Sequence, residues 1–577
     1  MGLIFGAYAA REAAGALRRR WDRGVTWLRS TYPRLTVAEH HCGPLLLGSA
    51  VTSPLEIHQG RGNGWQMVLV GTLPYRSLSG PEFAGVRDVR DAVWKLAGTE
   101  GRFASVVRDE DAAAAFLVTD WACWYLVFWT KCADGVVFSS HPGLLLRLVE
   151  PRPRVDPVGA ANLLMMGYQL DNKTLFEGVT VFRPGEMLVL HNGTIENREF
   201  SLPFSTNGFG ATPKLLEGRF HEALVDSVRG RIEGYRRVVV PLSSGMDSRF
   251  IGASLRELGA NVETVTHDWR GRIDWVISKR VAKRLGSRHR RIRIPPHDMA
   301  EGMVRAGHML CLEGAHEETF QGKLSPYDPA TVLLAGNVGD AMEGVNLPAI
   351  DGTEDELHEH LYKGRRQALW SDAEVEEIGR ELGLALPRDS VYDLSRSVFR
   401  AHTGPLLPFQ RCMWWDYMGF QRRYVSYQSR VCDVHVPVGM PYVDGRLWTE
   451  LLSWPRYMLT HRRGVNGAME RFYPDLATIP RAKAGGRSRI TPTLAGMAAD
   501  AVTWRIPGAL QPMMPVCIGG GRSAGSVRTW RRLLDALIGR ASWMSGRWHD
   551  RFRRNVSSPM RFLALACLLQ QVEVGQS

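Results

Sequence analysis

An α/β chain with two unlike halves is expected here, and three observations lead to it. Short apolar or alternating runs, cut by glycine turns, fill the stretch from about 45 to 200. From about 214, strand-like and helix-like segments alternate, and beyond about 355 the pattern is mostly helical. Period-two runs between turns predict hairpins, whereas strands alternating with helices predict βαβ units and a parallel sheet.

Taken in chain order, the first apolar run is Leu3-Ile4-Phe5-Gly6-Ala7-Tyr8-Ala9-Ala10. It has no preceding positive segment and runs straight into Arg11 and Arg18-Arg19-Arg20. It is also far shorter than the ~20 residues that span a bilayer, as is every later apolar run. No transmembrane segment is expected. The strands predicted next are Gln66–Gly71, Phe103–Val107, Ala114–Thr119, Tyr125–Trp129, Val136–Ser139 and Met187–His191, with turns at Asp134-Gly135, Pro184-Gly185 and Asn192-Gly193. Ser201–Pro213 is rich in Ser, Thr, Gly and Pro and reads as a linker. A helix over Leu215–Glu233, a strand at Val238–Val240, a helix from about Ser248 to Leu258, a strand at Val262–Thr266 and a helix over Asp274–Leu285 follow.

The 577 residues are 45% hydrophobic and 23% charged, which excludes wholesale disorder and a collagen-like chain. Eight cysteines (Cys42, Cys123, Cys132, Cys311, Cys412, Cys432, Cys517 and Cys567) contain no C-x-x-C pair, so neither a disulfide framework nor a structural zinc is expected. A reducing cytoplasm fits that usage. Lys and Arg number 72 against 59 Asp and Glu, a net charge of +13, with a local excess near the C-terminus. There Arg528, Arg531, Arg532, Arg540, Arg547, Arg551, Arg553 and Arg554 alternate with Trp530, Leu533, Leu534, Leu537, Ile538, Trp543 and Trp548, as on an amphipathic helix. Its wet face is either simply solvated or a patch for an anionic peptide, a partner or a membrane surface.

Chemistry concentrates in Val238-Val239-Val240-Pro241-Leu242-Ser243-Ser244-Gly245-Met246-Asp247-Ser248-Arg249. A buried strand, a turn of small residues and a helix start together expose backbone N–H groups that bind phosphate. An acidic residue inside an anion site requires a cation between the two charges, so Asp247 is a candidate Mg²⁺ ligand. The plainer reading is a βα turn whose Asp and Ser cap a helix.

This segment resembles the pyrophosphatase loop, S-G-G-x-D-S, of the asparagine synthetase family and its ATP-pyrophosphatase relatives. Ser243, Gly245, Asp247 and Ser248 match, Ser244 replaces the first glycine and Arg249 replaces a small residue. Val332-Leu333-Leu334-Ala335-Gly336-Asn337-Val338-Gly339-Asp340 resembles the family's second metal-binding turn, so the resemblance implies Asp340 beside Asp247 on Mg²⁺. Pro441-Tyr442-Val443-Asp444 resembles its structural P-F-L-D stretch. Ile479-Pro480-Arg481-Ala482-Lys483-Ala484-Gly485-Gly486 resembles its late R-x-K-x-G loop, whose lysine would stabilise charge on the leaving group. The catalytic set so implied is Lys483, Asp247 and Asp340; the ATP and pyrophosphate set is Ser243, Ser244, Gly245, Asp247, Ser248, Gly336 and Lys483; the cofactors are ATP and Mg²⁺.

Upstream, Glu100-Gly101-Arg102-Phe103-Ala104, Val118-Thr119-Asp120, Val137-Phe138-Ser139-Ser140 and Phe176–Glu186 resemble the family's class II glutamine amidotransferase domain. The resemblance implies an N-terminal αββα sandwich over 1–205 and a Rossmann-like ATP-pyrophosphatase domain over 214–577 with a helical C-terminal part. Two departures stand out. Residue 2 is Gly2, where a working amidotransferase carries its nucleophilic cysteine, and the first cysteine is Cys42, so glutamine hydrolysis is expected to be lost. Asn337 occupies the position of a glutamate or tyrosine and has no accessible pKa, which leaves His316, Glu317, Glu318 and Glu343 as candidate bases. His41 and His289 have no metal-ligand spacing. Trp414-Trp415 and Arg422-Arg423-Tyr424 either pack the helical part or wall an extended peptide.

The retained residues imply carboxylate adenylation followed by attack of an amine. With no glutaminase, that amine belongs to the substrate, a pattern most like the lasso-peptide cyclases of this family. Those would act on a leader-free core peptide, alongside a leader peptidase and a leader-recognition protein. A small-molecule amide or β-lactam synthetase and an ammonia-dependent asparagine synthetase-like enzyme are the alternatives. A tRNA-modifying enzyme and an inactive scaffold are further ones. No RNA-binding aromatic motif supports a nucleic-acid partner, and retention of Asp247, Asp340 and Lys483 together argues against decay.

Overall fold

The computed structural model describes residues 2–9, 14–42, 45–62, 64–73, 89–109, 114–133, 135–197, 200–268, 272–293, 328–344, 347–348, 352–365, 372–381, 384–386, 388–402 and 406–481. Lys483, His316, Glu317, Glu318 and the arginine-rich stretch after 528 lie outside them.

Two six-stranded antiparallel sheets form the N-terminal part. The first runs in the order Thr180–Val181, Phe128–Cys132, Gly135–Ser139, Leu3–Ala9, Leu45–Val51, Thr36–Cys42. The second runs Thr194–Asn197, Glu186–Val189, Ala115–Thr119, Arg102–Asp109, Trp65–Thr72, Ile57–Gly62. Alternation sorts their side chains into layers. Val68, Val70, Ala104, Val106 and Leu117 of the second sheet meet Ile4, Leu45 and Leu47 of the first in one core. Met67, Leu69, Phe103, Val107 and Phe116 point the other way, onto Val89, Val93 and Leu96 of the helix Val89–Ala97. On the far side of the first sheet, Leu3, Phe5 and Ala7 share a core with Leu17, Trp21, Val25 and Leu28 of the helix Ala14–Thr31. Helix, sheet, sheet and helix thus stack as the expected αββα sandwich.

Most predicted strands form within a residue or two, but Tyr125–Trp129 does not. The strand there is Phe128–Cys132, because the Asp120 carboxylate accepts from the N–H groups of Trp124 and Tyr125 at 2.9 and 2.8 Å. Those donors are committed to a turn, tightened by Cys123 at φ 54°, and cannot enter a ladder.

The second part carries a five-stranded parallel sheet in the order Arg288–Arg293, Val262–Asp268, Arg237–Pro241, Thr331–Leu334, Val438–Gly439. Successive strands run outward on one side of Arg237–Pro241, and the chain then returns to its other side. The order therefore reverses beside that strand, opening a crevice at the strands' C-terminal ends. Helices Pro213–Ile232, Asp247–Glu257 and Arg272–Leu285 flank the sheet. A long helical rod follows, α-helical over Pro408–Asp416, π-helical over Tyr417–Val425 and α-helical again over Ser426–Asp433. Among the described residues no helix is long and apolar enough to cross a membrane.

Polar contacts lock the two parts together. Arg102, 1% exposed, forms two parallel bonds to Asp433 at 3.2 and 3.1 Å. From the π-helical stretch, Arg422 donates to Phe182 O at 3.0 Å and Arg423 to Lys173 O at 2.8 Å. These arginines face the N-terminal sandwich and do not wall the crevice. Trp414 and Trp415 donate to Val398 O and Ser395 Oγ, which makes them packing residues of the helical part. Glu100 accepts from Gly445 N at 2.9 Å.

Burial, and then the neighbouring Asp444, raise the Glu100 carboxyl to about 7 from 4.5. Between those values the folded protein holds a proton that the unfolded chain has released, so this stabilisation is full below about pH 4.5 and lost as pH rises through 7. Glu100→Gln keeps an acceptor for Gly445 and removes the ionisable group. The variant should melt with the wild type at pH 5 and be more stable at pH 8, by on the order of 1–2 kcal/mol after allowance for partial exposure. A stability difference that is flat between pH 5 and 8 would contradict this placement of the charge.

Candidate active site

Strands Arg237–Pro241 and Thr331–Leu334 are paired in parallel, so the segments leaving them emerge side by side. After the first, Leu242 to Met246 turn into the helix Asp247–Glu257. Ser248 Oγ accepts from Ser243 N at 3.1 Å, and Ser243 Oγ accepts from Gly245 N at 3.0 Å. These bonds draw the loop into a tight cup at the helix start, where unpaired backbone N–H groups concentrate.

After the second strand the chain turns through Gly336-Asn337-Val338-Gly339-Asp340. A Cβ on Gly339 would lie 2.9 Å from Asp247 Cγ, and one on Gly336 would lie 3.2 Å from Asp247 Cβ and Ser248 N. Gly339 leaves no room for a side chain beside Asp247, and a side chain on Gly336 would require the first turn to shift by a few tenths of an ångström. This assigns Gly336 to close packing on the loop. Between them Val338, buried, holds φ 75°, a left-handed conformation that a β-branched residue adopts only under compulsion. Asn337 donates to Val425 O at 3.0 Å, and Tyr417 donates to Ala341 O at 3.0 Å, so the π-helical rod holds the turn from behind.

Asp247 and Asp340 meet at this junction, and Arg462 bridges them. One guanidinium nitrogen donates to Asp340 Oδ1 at 2.9 Å, and the other donates to Asp247 Oδ1 and forms an ion pair with Glu343. Glu343 is fully buried, and neither of its carboxylate oxygens has a hydrogen-bond donor among the described residues. Burial raises the Asp247 carboxyl well above its ordinary value; Arg462 opposes the shift and the Asp340 charge adds to it. Sequence reasoning singled out Asp247, Asp340 and Glu343 but missed Arg462, which follows His461 in a pair of left-handed residues at φ 55° and 58°. Neither is a glycine, so no turn signature marks them.

These residues fit a magnesium ion. Two carboxylates beside a phosphate-binding cup are the usual protein share of a Mg²⁺–nucleotide site, the remaining ligands being phosphate oxygens and waters. Asp247 and Asp340 would hold the ion, which would neutralise phosphate charge there. Among the described residues no group of three or more His, Cys, Asp or Glu is arranged to enclose a metal by itself. His289, paired to Thr264 Oγ1 at 2.9 Å and stacked on Trp275, is lowered to about 4 chiefly by burial; it is a packing residue. His41 lies in the strand Thr36–Cys42, away from the crevice.

At the other end of the chain, Gly2 is buried, and its carbonyl accepts from Tyr125 Oη at 2.6 Å. A Cβ there would lie 2.4 Å from Val51 Cγ1 and 2.7 Å from Ala50 O. Position 2 has no room for a side chain.

Residues 219–461 match the family model for asparagine synthase, and residues 92–201 match that for the glutamine amidotransferase domain. No curated protein matches the chain. Among solved structures, the glutamine phosphoribosylpyrophosphate (PRPP) amidotransferase from B. subtilis, complexed with ADP and GMP, is 13% identical, covering 58% of this chain and 82% of that one at a TM-score of 0.22. A second, the allosteric regulatory enzyme of purine biosynthesis, is 11% identical over 56% of this chain and 85% of that one at a TM-score of 0.23. The asparagine synthase match makes this chain an ATP-dependent carbon–nitrogen ligase. It joins an amidotransferase domain to an asparagine synthase domain, as members of the asparagine synthetase family do.

Gly339→Ala should cost about 1–3 kcal/mol, because the added methyl presses on Asp247 and the turn cannot yield without moving Asp340. Thermal melting measures the loss, and calorimetry should show weaker Mg·ATP binding in the same variant. An unchanged melting temperature with unchanged binding would mean the two turns are not clamped as described.

Proposed function

We propose that this ligase closes a macrolactam within a peptide, the reaction of a lasso-peptide cyclase acting on a leader-free core. A side-chain carboxylate of the peptide attacks the α-phosphorus of ATP, the bond to the β,γ-phosphates breaks, and pyrophosphate leaves. The peptide's own N-terminal amine then attacks the acyl carbon of the adenylate. AMP departs, the amine's proton passes to solvent or substrate, and the peptide is lighter by one water. Asn337 has no part in that proton transfer, since its amide is neutral and already bonded to Val425.

The observation that carries this reading is the pairing of a two-carboxylate nucleotide cup with an N-terminal domain whose residue 2 is a packed glycine. The first supports adenylation. The second removes the place where ammonia would be released from glutamine, so the nucleophile comes with the substrate. Ser243, Ser244, Gly245 and Ser248 are assigned to the phosphates, Asp247 and Asp340 to Mg²⁺, and Lys483 to charge on the departing group. The core peptide would be supplied by a leader peptidase working with a leader-recognition protein. Cytoplasmic residence accords with the scattered cysteines.

Asp247→Ala and Asp340→Ala should each abolish turnover while the fold survives, checked by melting curves and by AMP release at saturating Mg²⁺. Stoichiometric ADP in place of AMP would exclude adenylation. Lys483→Ala should lower the catalytic rate by on the order of 10²–10³-fold with little change in ATP binding.

Cyclisation itself is tested with a leader-free peptide bearing an N-terminal glycine and an Asp or Glu several residues inward. Wild-type enzyme and ATP should remove one water and block the α-amine, as read by mass spectrometry and amine labelling. Mass loss that needs added ammonium would assign the ammonia-dependent alternative. Consumption of a small amino acid in place of the peptide would assign the small-molecule one.

A further inference from the structure

Arg249 departs from the small residue expected after Asp247-Ser248, and its surroundings give it a task. It lies on the first turn of the helix Asp247–Glu257 and is 0% exposed. All four of its side-chain bonds go to backbone carbonyls. One terminal nitrogen donates to Leu476 O at 3.0 Å and Ile479 O at 2.6 Å; the other donates to Ser244 O and Pro480 O, both at 3.1 Å. The four hydrogens of the two terminal nitrogens are thereby used, in a planar fork that only a guanidinium provides.

Among the described residues no carboxylate pairs with this buried cation. Burial, and then the nearby Arg481, lower its pKa to about 10, so it stays charged at neutral pH. A structural arginine normally has an anion beside it, because burying a lone charge is costly. Here the charge sits under the phosphate cup, and the bonds join that cup, through Ser244, to the segment that ends the described chain at Arg481. Arg481 is itself held by Asn466 Oδ1 at 2.9 Å.

We infer that Arg249 is a positioning residue: it ties the phosphate loop to the 476–481 segment, so that nucleotide bound at the loop sets the position of that segment. The inference deepens the proposed nucleotide site and rests on it for the ligand, but the tie itself does not depend on ATP.

Limited trypsin digestion reads the tie at the Arg481–Ala482 bond. In nucleotide-free protein, Arg249→Met should speed that cleavage by on the order of tenfold relative to cleavage elsewhere. Saturating Mg²⁺ with a non-hydrolysable ATP analogue should protect the bond in wild type. It should fail to protect it in Arg249→Met even though the analogue still binds within roughly threefold of the wild-type affinity. Arg249→Lys keeps the charge but cannot span both carbonyl pairs, so it should behave like the Met variant, and it carries the same test if that variant does not fold. Methylguanidinium should restore protection to Arg249→Ala, which a general packing defect would not allow. Unaltered cleavage after Arg481 in both Met and Lys variants overturns the inference, as does protection that falls only in step with lost affinity. Failure of the analogue to bind wild type at all would instead overturn the nucleotide reading, with the nucleotide-free digestion still deciding the tie.

Discussion

Two carboxylates that repel each other are held together at the ends of two adjacent parallel strands, and much of the surrounding structure serves to keep them there. Asp247 stands on a helix start and Asp340 on the next strand's turn. Their approach depends on glycine at 339, a close fit at 336 and a left-handed valine at 338. Each left-handed non-glycine residue costs about 1–3 kcal/mol, and the His461-Arg462 pair adds two more. Such conformations persist only where neighbours over-determine them. The rod behind the turn does this, through Tyr417 to Ala341 O and Asn337 to Val425 O. Its π-helical stretch matters because widening the helix there alters which side chains face the turn and which face the sandwich.

The same rod explains how the N-terminal sandwich is held to the rest of the chain. Arg422 and Arg423 leave the π-helical stretch for carbonyls of the N-terminal part, and Arg102 crosses back to Asp433 at the rod's end. Breaking a buried pair of this kind leaves an unpaired charge and costs about 3–5 kcal/mol, although the intact pair adds little net stability. Its contribution is to register, since a planar two-bond contact accepts one relative placement of the partners. Tyr125, bonded to Gly2 O and flanked by Arg430, extends that contact to the first strand. The sandwich fixes the rod, and the rod fixes the metal-binding turn.

Legibility in the sequence followed burial geometry. Strands Arg237–Pro241 and Thr331–Leu334 were readable because each is a short apolar run ending at a small-residue turn, and both aspartates fell beside those turns; Arg288–Arg293, with one apolar residue in six, was not. In the first sheet Gly135–Ser139 was readable too, but Leu3–Ala9 and Thr36–Cys42 were not. Leu3–Ala9 is covered by a second sheet on one face and a helix on the other, so it has no polar alternation and looks like an apolar leader segment. Thr36–Cys42 carries Glu39, His40 and His41 at the sheet edge and has too few apolar residues to register as a strand. Arg462 was invisible for another reason. Nothing in Thr460-His461-Arg462-Arg463 separates it from a solvated basic run, and its partners lie more than a hundred positions earlier. Side chains that complete a site from remote, irregular backbone leave no local pattern to find.

What unites these pieces is a separation of charge by sign. Asp247, Asp340 and Glu343 converge on the single guanidinium of Arg462, so when all are ionised the group keeps two negative charges, the complement of one divalent cation. A few residues away the imbalance is reversed. Arg249 is buried without an anion, and Arg481 is lowered by burial and by the positive field of Arg462. In the proposed site Asp247 and Asp340 would hold a divalent cation, and the Ser243–Gly245 cup would take the phosphates that carry it. Charges of each sign held apart by rigid backbone need no reorganisation when such a ligand arrives, and that preorganisation makes fixed protein charges more effective than mobile solvent at a developing transition state.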